Sequence, residues 1–375
     1  MSGSGSAQDH LERTERLGGE LRELEVDVLL VATPVNLRYL TGFTGTHGLA
    51  LLAGGQDASP IGEGRFFTDF RYETQSAEEV PGRFEREIVT GDLLEAAARS
   101  LGAGPGRLGF DPDSLTVAAH TRLSVQLGER WELTPCARAI ERLREVKDAG
   151  ELERIRAATE LADAALTGLL ESGVVGRTER EAAIELELRM RRLGADAPSF
   201  PSIVAAGAHG ALPHAQPREQ RIAKNVLLTI DWGALHQGYC SDCTRTYATG
   251  EGISAEGREV YELVLSAQEQ ALGAVRAGPN GRELDGVARA VIEAGGHGEH
   301  FGHGLGHGVG MEIHEGPRLS RTAGEEPLRA GNVVTVEPGV YLPGRLGVRI
   351  EDLAVVTGEG HEVLTSLSKA LTVIS

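Results

Sequence analysis

Cysteine is nearly absent: three residues in a chain of 375, too few and too unevenly spaced for a disulfide framework. Cys240 and Cys243 form one C-x-x-C, but the stretch around them, GYCSDCTRTYAT, reads as a strand, in which positions three apart face opposite sides. No second pair exists to complete a zinc ribbon, so neither cysteine is given a metal or redox role. Long apolar runs are missing too. Nothing approaches the ~20 residues that cross a bilayer, and the opening MSGSGSAQDH has neither a charged segment nor an apolar one behind it. A soluble, cytoplasmic chain with a loose polar start is expected. Basic residues are in deficit, 37 against 55 acidic, for a formal net charge of −18; such a surface repels nucleic acid and anionic lipid. Most of the acid excess belongs on solvated surface, and part can sit where cations sit.

What is present is ordinary apolar content, 41%, over a length that exceeds one core and predicts two domains. The first stretch alternates strand-like runs (VDVLLVAT, GLALLAG, RFFTDF, EREIVT) with a helical one, DLLEAAARSL, an α/β pattern of short elements. From Asp148 the texture changes to long, well-capped helices. The boundary falls in RAIERLREVKDAGEL, which divides the chain into residues 1–140 and 141–375.

The second domain repeats one plan. A helix over ELERIRAATELADAALTGLLESG is followed by one opening at Thr178 with Glu181 three residues on, a capping-box spacing, and then by the hairpin NVLLTIDWGALHQGYCSDCTRTYAT. The second copy has a helix over EGREVYELVLSAQEQALGAVRAG, another opening at Asn280 with Glu283, and the hairpin NVVTVEPGVYLPGRLGVRIEDLAVV. Each hairpin carries two acids. A turn centred between His236 and Gln237 sets Asp231 directly opposite Asp242, with Cβ atoms about 5 Å apart; a turn centred on Gly344 sets Glu337 opposite Glu351.

Asp231 and Glu337 end apolar runs, so solvent does not explain them, and like charges facing across a strand pair destabilise it. Unit charges 4 Å apart interact by about 4 kcal/mol at an effective dielectric of 20. Several such pairs would exceed a domain's stability unless cations neutralise them, and two divalent ions cancel four carboxylates. Hard oxygen ligands with few nitrogens suit Mn2+, with Co2+ and Zn2+ as alternatives. A carboxylate-bridged pair of ions lowers the pKa of a shared water and clamps a hydrolytic transition state, so the residues point to a dinuclear metallohydrolase. The segment HFGHGLGHGVGMEIHEGP adds His300, His303, His307 and His314, but a glycine-rich stretch has no period from which to rank them.

The sequence resembles the metallopeptidases of the prolidase and aminopeptidase P family (M24), which share the pita-bread fold with methionine aminopeptidase. PVNLRYLTGFTGTHG and FFTDFRYETQSAEE are similar to the family's N-terminal domain. SFPSIVAAGAHGALPHAQP, LTIDWGALHQGYCSDCTRTY, HGLGHGVGMEIHEGP, TVEPGVY and GVRIEDL follow in the family's order. The resemblance implies a creatinase-like α/β N-terminal domain followed by a pita-bread α+β catalytic domain with an internal pseudo-twofold repeat. It places the family's metal ligands on Asp231, Asp242, His307, Glu337 and Glu351, and it alone singles out His307. It makes Glu337 also the group that handles the water's proton, His314 a stabiliser of the substrate carbonyl and His303 part of the proline pocket. His214 falls on the opposite wall beside the leaving nitrogen, and Arg349 supports the site. His300 matches nothing and reads as an ordinary surface residue, and the glycines are expected to leave room for a peptide.

The implied reaction is hydrolysis of an Xaa-Pro bond, in dipeptides (prolidase) or, alternatively, at the start of longer peptides (aminopeptidase P), by a homodimer. Arg38 and Arg71 are candidate anchors for a substrate carboxylate. Methionine aminopeptidases lack the N-terminal domain, and creatinase-like relatives lose the ligands that are intact here.

Overall fold

The apolar runs of the first domain become neighbouring strands of one sheet. The computed structural model describes residues 7–54 and 61–375, and these divide into two compact units, Met1–Arg144 and Glu145–Ser375. In the first unit six strands lie in the order Phe84–Ile88, Gly64–Thr68, Gly48–Ala53, Val28–Val31, Gly106–Phe110, Trp131–Pro135. The last two are absent from the sequence reading. GRLGF carries two glycines and has weak strand propensity; Gly109 is needed because any side chain there would press on Cys136 Sγ and Val26 Cγ1, both 2.8 Å from a Cβ. Of the expected loose start, residues 1–6 lie outside the described residues, while Ala7–His10 open a helix, Ala7–Glu23.

In the second unit the duplicated plan is real. Helices Ala149–Glu171 and Glu179–Leu193 back the three strands Ile203–Ala206, Leu227–Trp232 and Cys243–Ala248; helices Ala255–Ala274 and Gly281–Ala294 back a five-stranded sheet that includes Val333–Val336 and Asp352–Val356. Capping boxes close at Thr178 with Glu181 and at Asn280 with Glu283, and a third, unforeseen, at Asp148 with Glu151.

Each copy has its own core. Leu228, Ile230 and Trp232 face the first helix pair with Leu166, Leu186 and Met190, and Val334 and Val336 face the second with Val264, Leu284 and Ile292. Strand alternation therefore turns Thr229, Asp231, Thr335 and their neighbours to the opposite, inner side. There Thr229 and Thr246 hydroxyls meet at 3.1 Å, and Thr246 Oγ1 donates to Arg349 O at 2.9 Å, linking the two copies across the middle. Residues 366–375 return to the first copy: Ser366 N donates to Asp163 Oδ2 at 2.7 Å, and Val373 bridges Ala248 on the edge strand Cys243–Ala248.

Candidate metal centre

Turn chemistry sets where the acids meet. Gln237 and Gly238 both have positive φ, 51° and 83°, as the two central residues of a type I′ hairpin turn must. The pairing runs His236 with Tyr239 and Leu235 with Cys240, then on to Asp231 with Thr244. This corrects the expected register: the hairpin is centred one position later, so Asp231 faces Thr244 and Asp242 is its diagonal neighbour. The shift is two residues in pairing, which keeps both acids on the same face. The second hairpin is centred on Gly344 (φ 72°), with Leu342 against Leu346 and Gly339 against Arg349, and Val336 pairs with Asp352 beyond the gap. The same register carried through that gap sets Glu337 against Glu351, as expected.

Five side chains converge at the seam between the copies. One carboxylate oxygen each from Asp231, Asp242 and Glu351 lies within 4.8 Å of the others. His307 Nε2 is 3.3 Å from Glu337 Oε1 and 3.6 Å from Asp242 Oδ2. Its Nδ1, 3.1 Å from Gly308 O, is placed to donate there, which directs Nε2 at the acids. Two threonines relay the scaffold's geometry: Thr244 Oγ1 accepts from Arg349 Nε (3.0 Å) and donates to Glu351 Oε2 (2.8 Å). Thr335 Oγ1 accepts from His307 N (3.1 Å) and donates to Glu337 Oε1 (3.2 Å).

Burial pushes Asp231, Asp242 and Glu351 above the ordinary carboxylate range, and repulsion among the four acids adds to it; Arg349, bonded to Asp231 Oδ2 at 2.7 Å, offsets this only in part. Glu337 goes the other way: burial raises it, but His307, His303 and Arg349 outweigh burial and bring it down to about 2. Burial also opposes charge on His307, yet Glu337 and Asp231 hold its pKa above the usual imidazole value. Asp231 Oδ1 and Glu351 Oε1 are buried with no hydrogen-bond donor, an arrangement that costs free energy unless something positive meets them. The donor set, four carboxylates and one imidazole nitrogen with orphaned oxygen lone pairs, fits hard divalent ions.

Residues 153–358 match the family described as Metallopeptidase family M24, and residues 13–146 match the Creatinase/Prolidase N-terminal domain. The chain belongs to metallopeptidase family M24. It is similar to the Xaa-Pro dipeptidase of Pyrococcus furiosus, 36% identical over 362 residues that span 96% of this chain and 99% of that protein. Among solved structures it is similar to the Xaa-Pro dipeptidase from Bacillus anthracis (38% identical, TM-score 0.90, 97% and 99% of the two chains). It is also similar to the X-Pro aminopeptidase from Thermotoga maritima (35% identical, TM-score 0.85, 96% and 99% of the two chains). This M24 peptidase therefore has a creatinase-like N-terminal domain before its catalytic domain, and it is a metal-dependent peptidase.

Around the four acids and the imidazole, the other singled-out residues of this M24 peptidase differ in their freedom. His314 stacks edge-on against His307 with ring centroids 4.4 Å apart, is exposed, and makes no hydrogen bond to the described residues. Partial desolvation of the side of its ring that faces the site, and then the neighbouring His307, hold it below the usual imidazole pKa, which favours the neutral form, a hydrogen-bond donor. His303 has both nitrogens engaged, Nδ1 with Gly304 O (2.7 Å) and Nε2 with Tyr341 OH (2.9 Å), so it offers a ring face rather than a nitrogen. His214 lies on a loop whose Pro213 O accepts from Arg349 Nη1 (3.2 Å). Arg349 is fully engaged with Asp231, Thr244, Tyr341 and Pro213.

Tyr341 was missed by the sequence reading, although alternation from Glu337 through Gly339 places it on the same face. Also missed was the buried ion pair of Lys147 Nζ with Glu315 Oε1 (2.7 Å), next to His314. His300 lies away from the acids, with Nδ1 3.3 Å from His297 Nδ1. Cys240 and Cys243 are buried, are not joined by a disulfide, and sit in different apolar clusters. Arg71 is engaged with Asp69 (Nε 2.9 Å, Nη2 2.6 Å).

The glycines of HGLGHGVG do not serve to leave room for a peptide. A Cβ at Gly306 would collide with Thr335 O, and one at Gly308 with Gly316 O. They let His307's strand lie close between its neighbours. Gly306→Ala is expected to cost about 1–3 kcal/mol by overpacking, lowering Tm by roughly 2–10 °C, and to weaken metal retention. Thermal unfolding with and without Mn2+ measures both; an unchanged Tm would contradict the close-approach account.

Proposed function

We propose that this M24 peptidase hydrolyses the bond between an N-terminal residue and a following proline, chiefly in dipeptides, using two divalent ions held by Asp231, Asp242, His307, Glu337 and Glu351. The reading rests above all on the buried acids around His307 Nε2, two of whose oxygens have no donor. Manganese is the proposed ion, with Co2+ and Zn2+ as alternatives for the same donors. When bound, the ion pair supplies a water of lowered pKa and polarises the substrate carbonyl.

The protein's own groups do the rest. Glu337, the acid held in its ionised form, accepts the attacking water's proton. His314, neutral and free, donates to the carbonyl oxygen as negative charge develops there. His214 approaches from the opposite wall and serves the leaving nitrogen, which departs only when protonated. A prolyl nitrogen has no N–H to anchor, so the His303 ring face and Arg349 contribute shape and rigidity instead. We assign residues 1–140 to the N-terminal domain and 141–375 to the catalytic one, and take the working form to be a cytoplasmic homodimer. No helix among the described residues is long and apolar enough to cross a membrane.

The dipeptide preference follows the relatives named Xaa-Pro dipeptidase. The similarity to the Thermotoga maritima X-Pro aminopeptidase supports the alternative, cleavage at the start of longer peptides. Ala-Pro, Ala-Pro-Ala and Met-Ala offered to the manganese-loaded enzyme separate these. Turnover of Ala-Pro with little release from the tripeptide is expected; efficient cleavage of Ala-Pro-Ala would move the assignment to aminopeptidase P, and turnover of Met-Ala alone would overturn it.

A further inference from the structure

We infer that Glu179 is a positioning residue for His214: one buried carboxylate that gathers the base of the His214 loop and so sets where that imidazole meets the substrate. The inference rests on the reading above in which His214 serves the leaving group. Glu179 is the first residue of helix Glu179–Leu193 and is fully buried. Its Oε1 accepts from Ala206 N at 2.9 Å; its Oε2 accepts from His209 Nδ1 at 2.8 Å and from Arg218 N at 3.0 Å. All three donors belong to the segment that leaves strand Ile203–Ala206, passes His214 and returns.

The helix itself does not require this carboxylate, because Thr178 and Glu181 already cap it reciprocally. Burying a charge is costly unless hydrogen bonds meet it, and here every bond that meets it comes from the loop. Only an acceptor-only group takes three N–H donors at once, and the helix N-terminus favours its negative charge. The same helix start reaches the loop's return through its backbone, Glu179 N to Gln220 O and Arg180 N to Arg218 O, both 3.1 Å.

Between these anchors the crest is a tight turn, Ala215 N to Leu212 O at 3.2 Å, with Pro213 and His214 as its central residues. Arg349 holds that crest from the other side through Pro213 O. His214 itself makes no hydrogen bond to the described residues, so its place depends on the loop beneath it.

The test is a double-mutant cycle on the manganese-loaded enzyme with Ala-Pro, using Glu179→Gln, His214→Ala and the pair. Glu179→Gln turns an amide N–H toward Ala206 N in one orientation or toward His209 and Arg218 N in the other, so at least one donor loses its acceptor. It is expected to lower kcat about 10- to 100-fold, as a misplaced group does, with KM within about threefold and two metal ions per chain retained. In the His214→Ala background the same change should cost less than about threefold more. An equal loss in both backgrounds, or loss of metal with Glu179→Gln, would show a general structural role and overturn the inference. If His214→Ala alone leaves kcat unchanged, the reading of His214 fails first and takes the inference with it. Should Glu179→Gln not fold, His209→Ala, which removes one of the three bonds, enters the same cycle with the same criteria.

Discussion

His307→Ala is expected to retain less than one metal ion per chain and to lose at least about a thousandfold in kcat/KM, whereas His314→Ala keeps both ions and loses about a hundred- to a thousandfold in kcat. The two rings touch, but their nitrogens are committed differently. His307 points Nε2 at Glu337 and Asp242 and sets its tautomer through Gly308 O; removing it deletes the imidazole nitrogen that faces these two acids. His314 faces outward with both nitrogens free, and its removal deletes a donor to the developing oxyanion, a loss of the size seen for oxyanion-hole donors. Metal analysis of the dialysed variants beside their kinetics decides it. Equal metal loss in both would mean that the ligand and the donor are assigned the wrong way round.

Chelation is expected to reverse the protein's response to pH. In the metal-free protein Asp231, Asp242 and Glu351 have raised pKa values, so the folded state binds more protons than the unfolded one. Stability from such groups is fully present below the ordinary carboxylate pKa and is lost as pH rises through the raised folded values. His307, also raised, acts in the same direction above its usual 6.5; Glu337, lowered, contributes stability that is fully present above the ordinary carboxylate pKa and is lost only at strongly acid pH. Bound metal requires the same groups deprotonated, so its contribution grows with pH. The Tm of EDTA-treated protein should therefore fall by roughly 5–10 °C between pH 5 and 8, while that of manganese-loaded protein holds or rises. A metal-free Tm that is level across this range would contradict the picture of four acids crowded beyond what Arg349 balances.

The parts legible in the sequence are those whose cause is local. Gly344 marks its turn because a left-handed residue is needed there, and from it the Glu337–Glu351 register follows by counting. In the first hairpin the count began one residue early because Gln237, not a usual left-handed residue, takes the first positive-φ position and Gly238 the second. The capping boxes at Thr178 and Asn280 were readable for the same local reason. Glu179 was not: its donors lie 27 to 39 residues away and meet it only once helix and loop have packed. Lys147 and Glu315, 168 residues apart, are equally silent. The glycines around His307 were visible but misread, since sequence alone does not say whether a missing side chain makes space for a ligand or for a neighbouring strand.

The division of the centre between two copies of one plan also fixes an order of events at the ribosome. Chains fold as they emerge, N-terminal parts first, and the first copy, with both aspartates and all but the returning residues 366–375, is made about a hundred residues before Glu351. During that interval the strand Cys243–Ala248 presents an unpaired edge, the kind of template on which nascent chains stick to one another; the segment that bridges it through Val373 comes later still. On the proposed ligand set metal is no help at that stage, because two aspartates without the histidine and glutamates are a fragment of the site. That edge therefore needs shielding from the time Ala248 emerges until Val373 is made.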